Sequence, residues 1–374
     1  MGTTLTLSWS CSIDILPGLS LCTSFMTGHV IKPSNGCCNA AGNLTKYDSA
    51  DDDDGLSLCS CVGLASSKYG WTDAYAFAYD LTSDCDIDND FAHFLDPRIW
   101  RCHAEFLGFT SYPPAYLTQE AQGERILTGV NFASAASGLY DGTAQLYSAI
   151  SLTQQLNSYR EYQNKVVSMV GREKADNIFS GAIHLLSAGS SDFIQNYYIS
   201  PLLYGAYSPD RFSDTLMNSY SSFVQNLYRL GVRRLGVTSL PPTGCLPAAI
   251  TLFGGGSNQC VARLNQDAIS FNSKLNSTSQ SLVNNLPGLK LVVFNIYKPL
   301  LDIITTPDES GFFESRRACC GTGTLETSVL CNARSIGTCS NATQFVFWDG
   351  FHPSEAANRI LAGVLLEQGF DLIS

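Results

Sequence analysis

The chain has 374 residues, 45% of them hydrophobic, with a formal net charge of −11. That length and apolar share supply a core for one large domain, or one domain with an added segment. The acidic balance argues against a nucleic-acid surface or a patch for anionic membranes, and no apolar run reaches the ~18 residues needed to cross a bilayer.

The charge is unevenly spread. Residues 1–103 hold 13 aspartates, no glutamate, five basic residues and eight of the 14 cysteines, with Asp51–Asp54 as an uninterrupted acidic run. Turn residues and Asp interrupt every apolar stretch there, so this segment is expected to be disordered or non-native. Cys37-Cys38 and Cys59-Ser60-Cys61 do not match zinc-ligand spacing, and His29, His93 and His103 earn no role. The N-terminus lacks a basic stretch followed by an apolar one, so no signal peptide is expected in this chain.

From about Ala104 the text changes, and short apolar runs alternate with long amphipathic stretches. Residues 143–171 place Leu146, Ile150, Leu156, Tyr159, Tyr162 and Val166 at mostly helical spacings, predicting a helix. Residues 182–188 predict a buried strand that ends at Gly189, with His184 inside it as a satisfied core histidine. Phe212–Leu230 predicts a helix, Arg234–Leu240 a strand stopped by Pro241-Pro242, and Val261–Leu286 another helix. Leu289–Tyr297 predicts a third strand, and Ser354–Gln368 the last helix. Strand–helix alternation over this length implies a parallel sheet covered by helices on both faces. Active sites of such sheets lie at the C-terminal strand ends.

Three signals occupy such positions. Gly129–Gly138 is a small-residue loop whose glycines let a backbone N–H approach a ligand. Ser187-Ala188-Gly189-Ser190-Ser191-Asp192 follows a strand directly; Asp192 itself reads as a turn residue or as support for the site, the former preferred. Asp349-Gly350-Phe351-His352-Pro353 follows the apolar run Phe345–Trp348 and opens a helix. An acid three residues before a histidine can accept its Nδ1 proton and leave Nε2 free as a general base.

Taken with Leu240-Pro241-Pro242-Thr243-Gly244-Cys245-Leu246-Pro247 and Arg317-Ala318-Cys319-Cys320-Gly321, these blocks resemble, in order, those of plant-type GDSL esterase/lipases of the SGNH hydrolase superfamily. The resemblance runs from about residue 104 to the C-terminus and divides the chain into an atypical segment, 1–103, and a hydrolase-like domain, 104–374. It implies a flavodoxin-like three-layer α/β/α fold and hydrolysis of carboxylic or lipid esters through an acyl-enzyme, without cofactor or metal. It makes His352 the general base, Asp349 its orienting partner, and Gly138 and Ser191 the oxyanion donors. Ser191 stands where the family carries Asn.

The family's nucleophile sits in a Gly-Asp-Ser motif on a central first strand, and that tripeptide occurs nowhere in this sequence. The fold is therefore expected to lack its usual first strand, and the chain to show little or no turnover. The alternative is a catalytically inactive binding protein of the same fold, or a truncated product. Ser49, in Tyr47-Asp48-Ser49-Ala50, follows no β-type run and opens no helix.

Six cysteines of the second part, Cys245, Cys260, Cys319, Cys320, Cys331 and Cys339, are disulfide candidates. Cys245 is expected to pair with Cys260; the pairing of the other four stays open. Asn43, Asn276 and Asn341 head glycosylation sequons. Cysteines, sequons and family all point to a secreted protein, its partners limited to small-molecule or lipid esters.

Overall fold

The computed structural model describes residues 113–373 apart from 328–329 and 332–334. The segment 1–103, with its expected disorder, Ser49 and Asn43, lies outside the described residues. Those that are described belong to one compact unit, Pro113–Ser374.

The chain enters through a single parallel bridge, Ala115 to Asn131, and a 3-10 turn, Gly123–Thr128. The helix expected over 143–171 is two. α1 (Asp141–Leu146) ends in a turn where Ser148 takes a positive φ, and α2 (Leu152–Val170) starts afresh. The break has a local cause: Ser151 and Gln154 form a reciprocal capping box, the Ser151 side chain accepting from Gln154 N and the Gln154 side chain accepting from Ser151 N. Leu146 is consequently exposed, whereas Leu156, Tyr159, Tyr162 and Val166 line one buried face of α2. A further helix, α3 (Arg172–Gly181), leads into β1 (Ile183–Leu186).

After β1 a one-turn helix, Ser190–Asp192, runs into a π-helical turn, Phe193–Tyr197. Next come α4 (Pro201–Ala206) and α5 (Pro209–Arg229), each opened by a serine cap followed by proline. Then follow β2 (Arg234–Thr238), α6 (Pro247–Phe253), α7 (Ala262–Asn285), β3 (Lys290–Phe294) and α8 (Tyr297–Thr305). The last elements are β4 (Glu314–Ala318), β5 (Phe345–Phe347) and α9 (Glu355–Gln368), the helix capped by Ser354.

The strands are all parallel, in the order β1-β2-β3 with β4-β5 as a separate pair. Thus the single sheet expected from the alternation is two among the described residues. The β4–β5 register shifts between Glu314 and Ala318, and β4 is polar, so sequence periodicity gave no sign of it. In β2, Leu235, Gly236 and Val237 are all buried, as a strand covered on both faces requires. The far edge of β1 pairs with no strand among the described residues, and Leu185 is 75% exposed there. Packed against these strands, α2, α5 and α7 bury an aromatic core that includes Phe193, Tyr197, Phe212 and Phe271. The result is an α/β fold with helices layered on parallel strands.

Candidate active site

The turn after β5 is closed by a main-chain bond from Trp348 N to His352 O at 2.9 Å and shaped by one side chain. Asp349 Oδ1 accepts the N–H groups of Phe351 and His352, each at 2.8 Å, folding the chain back on itself in the manner of an Asx-turn. The same carboxylate lies 2.9 and 2.8 Å from His352 Nδ1 through its two oxygens. An ionised carboxylate only accepts, so Nδ1 carries the proton and Nε2 keeps its lone pair. Asp349 is buried while the His352 side chain is 68% exposed, and Nε2 has no hydrogen-bond partner among the described residues.

The electrostatics follow from that geometry. The hydrogen bond and charge of Asp349 raise the His352 pKa above the ordinary imidazole value, against the opposing effect of burial. Burial pushes the Asp349 carboxyl up, but the hydrogen bonds from His352 and from the two turn N–H groups outweigh it and leave it below the usual carboxylate range.

A second cluster joins the other two loops. Asp192 is fully buried and its carboxylate accepts from Leu139 N at 2.7 Å, Tyr140 N at 3.2 Å and Thr143 Oγ1 at 2.6 Å. Asn196 Nδ2 donates to Thr143 Oγ1 at 2.9 Å and closes the network. Of the two readings the sequence leaves open for Asp192, turn residue and support for the site, the geometry favours the second: it ties the loop of Gly138 to the loop of Ser191. Burial raises its pKa to about 6, the bonds from Thr143, Leu139 and Tyr140 pulling the other way. Gly138 N–H and the Ser191 hydroxyl, the two candidate donors, have no protein partner among the described residues.

The structure thus brings Asp349 to His352, and Gly138 to the Ser191 loop. No hydrogen bond joins the two clusters among the described residues. His184 has both ring nitrogens engaged, Nε2 with Tyr159 OH at 2.8 Å and Nδ1 with Ala182 O at 3.1 Å, and burial lowers its pKa. The six cysteines pair as Cys245–Cys260, Cys319–Cys339 and Cys320–Cys331. Asn276 is exposed on α7 and Asn341 is exposed at a 3-10 helix N-cap. No group of three metal-ligating side chains occurs among the described residues, and no described helix is long and apolar enough to cross a membrane.

A family model described as GDSL-like lipase/acylhydrolase matches residues 69–365. The chain belongs to this family. The match begins ahead of residue 104, from which the resemblance is read in the sequence. Two Arabidopsis thaliana relatives, each named GDSL esterase/lipase, are 70% identical over 273 and 272 residues, covering 72% of this chain and 77% of each relative. GDSL esterase/lipase APG of the same plant is 57% identical over 271 residues, with the same shares covered. The layered α/β architecture is that of a GDSL-family three-layer α/β/α domain.

Sequence reading missed two elements of this GDSL-family site. Thr143 and Asn196 belong to the Asp192 network, and only the neighbouring Gly-Ser-Ser-Asp block pointed towards it. Glu326, whose carbonyl accepts from Gly350 N at 2.9 Å, gave no signal at all, because it lies in a polar loop without periodicity.

Proposed function

We propose that this chain is a GDSL-type ester hydrolase acting on carboxylic or lipid esters through an acyl-enzyme. His352 is its general base, Asp349 the acid that orients it, and Gly138 N–H and Ser191 Oγ the donors to the oxyanion. The observation that carries this reading is the His352 ring held at Nδ1 by a buried carboxylate while Nε2 is engaged by none of the described residues. In that arrangement Nε2 can take the proton of an attacking hydroxyl, and Asp349 stabilises the imidazolium that forms. Two donors aimed at the same developing oxyanion would each be worth ~10²–10³ in turnover. A hydroxyl at position 191 can donate as the family's Asn does. The three disulfides and the exposed sequons at Asn276 and Asn341 suit an oxidising, secretory setting, and the substrate is a neutral or lipid ester rather than nucleic acid.

The absence of Gly-Asp-Ser from all 374 residues favours a second reading, in which the chain binds esters without turning them over. Loss of a triad serine costs ~10⁶ in turnover, roughly 8 kcal/mol of barrier, which Asp349 and His352 do not recover alone.

A fluorophosphonate probe followed by peptide mapping decides between them. Labelling of one serine, abolished by His352→Asn, establishes the hydrolase and names its nucleophile. Absence of labelling in a cooperatively melting protein that still binds a fluorescent long-chain ester establishes the second reading.

A further inference from the structure

The turn that presents His352 is held from outside at its apex. Gly350 N donates to Glu326 O at 2.9 Å, and Gly350 O accepts from Ala248 N at 3.1 Å. A Cβ added at Gly350 would lie 3.2 Å from Thr324 O and 3.3 Å from Thr327 Cγ2, so the loop over 321–327 lies directly against this turn. Loop and turn are also tied through Cys320 N, which donates to Trp348 O at 2.9 Å.

That loop has little apolar substance; Thr322 and Leu325 are exposed. What closes it is the Glu326 carboxylate. It accepts from Thr322 N at 2.9 Å, Thr322 Oγ1 at 3.0 Å, Thr324 N at 3.3 Å and Leu325 N at 3.2 Å. Gly321 lets this happen, since a Cβ there would stand 2.8 Å from Glu326 Cγ and Cδ. The loop is anchored at its start by Cys320, through its disulfide to Cys331. One residue therefore does two things. Its side chain folds the loop, and its main-chain carbonyl, placed by that folding, receives the apex of the Asp349–His352 turn.

We propose that Glu326 is the positioning residue of the Asp349–His352 pair, acting through the main chain of Gly350. The inference rests on reading that pair as the acid–base half of an ester-hydrolase site. Hydrogen bonds from Thr322, first of all its N–H, hold the Glu326 carboxyl down to about 2, so it stays ionised and acts as a fixed staple at working pH. Without it, the N–H groups of Thr322, Thr324 and Leu325 return to water, residue 326 loses its place, and Gly350 N loses its acceptor. Asp349 and His352 remain in the chain, but the turn that sets their separation loses one of the two outer holds on its apex and keeps only that from Ala248 N.

The test reads the pair itself and needs no turnover. The Cε1 proton of His352 is titrated by NMR; the chain has five histidines, and the resonance lost in His352→Asn identifies it. Glu326→Ala is expected to lower the His352 pKa by at least about half a unit, as the bond to Asp349 loosens. It is also expected to speed hydrogen exchange at the Gly350 amide about tenfold. Glu326→Gln keeps the size and one acceptor oxygen and gives a smaller shift in the same direction. It serves as the folded variant should Glu326→Ala lose its cooperative melt, with Thr322→Val as a third. A loop that merely adds stability would lower the melting temperature and leave the His352 titration where it was, and that result in any folded variant overturns the proposal. Asp349→Asn separates the two levels. If it fails to lower the His352 pKa, the pair itself is absent and both readings fall. If it lowers the pKa while the Glu326 variants do not, only the role of Glu326 falls.

Discussion

The carboxylate of Asp192 occupies the space a side chain at Gly138 would need: a Cβ built there would stand 2.1 Å from Asp192 Oδ1. Glycine at 138 and a buried acid at 192 are thus one feature seen from two loops. The acid reaches the N–H groups of Leu139 and Tyr140 because position 138 carries no side chain, and Gly138 N–H has no protein partner among the described residues.

Gly138→Ala forces that carboxylate out of its place. The expected cost is about 1–3 kcal/mol, typical of forced overpacking, with faster hydrogen exchange at Leu139 and Tyr140. Asp192→Ala removes the acceptor instead and strands buried donors, for which roughly 2–4 kcal/mol is expected. Chemical denaturation of both variants checks the values, and a loss under 0.5 kcal/mol in either, taken as roughly the scale of an ordinary surface change, would contradict the clamp.

The clamp also sets a direction for pH. Burial raises Asp192 to about 6 in the folded protein, above its unfolded value, so between about pH 4 and pH 6 the folded state holds the extra proton. Its contribution to stability is highest below that window and declines as pH rises through it, by roughly 3 kcal/mol for a shift of this size. Asp192→Asn cannot titrate. The difference in stability between wild type and this variant, measured by urea unfolding from pH 4 to 7, should therefore change across the window and level off above it.

Much of this domain was legible because its long helices carry one-sided apolar stripes. Phe212, Leu216 and Tyr220 on α5, and Leu264, Phe271 and Leu275 on α7, are buried as their spacing requires. The single helix drawn through residues 143–171 failed for a reason visible in hindsight: Ser151 and Gln154 are a start signal, and a start signal inside a helical pattern outranks the pattern. β4 was illegible because Glu314-Ser315-Arg316-Arg317-Ala318 has the composition of a loop and is held by pairing with Phe345–Phe347. At the site, the Asp349–His352 pair could be read because it is local, three residues apart. The tie from Asp192 to Leu139 spans 53 residues, and the one from Glu326 to Gly350 is carried by main chain; spacing encodes neither.

The titration of His352 fixes the pH range of any base catalysis. Asp349 holds the folded pKa above 6.5, so the stabilisation from this pair is fully present below the unfolded value and is lost as pH rises through the folded one. For Asp349, whose folded pKa is lowered, the contribution is present above its unfolded value and is lost as pH falls through the folded one. Base catalysis needs neutral imidazole and so runs opposite to the His352 stability contribution. Hydrolysis of a p-nitrophenyl ester, or labelling by a fluorophosphonate, should climb with pH to a midpoint above 6.5. Asp349→Asn should move that midpoint down and lower the plateau, and an unmoved midpoint would show that Asp349 does not orient His352.

The disulfides divide by what they support. Their loops of 15, 20 and 11 residues predict about 3 kcal/mol each from chain entropy, so pairwise replacement by serine should lower the melting temperature by several degrees in each case. Two of the three act on the strand end just before the turn, while the third closes the loop of Ala248, whose N–H donates to Gly350 O at the apex at 3.1 Å. Cys319 N and Cys320 N donate to Phe347 O and Trp348 O at 3.0 and 2.9 Å, immediately before Asp349, whereas Cys245 and Cys260 join the loop after β2 to the start of α7. Replacing Cys320 and Cys331 together should therefore shift the His352 titration as well as the melt. Replacing Cys245 and Cys260 should shift the melt and move the His352 pKa less, since that disulfide reaches the turn only through Ala248 N and Gly350 O. Equal effects of the two replacements on His352 would mean that the 319–339 segment adds no specific support to the turn.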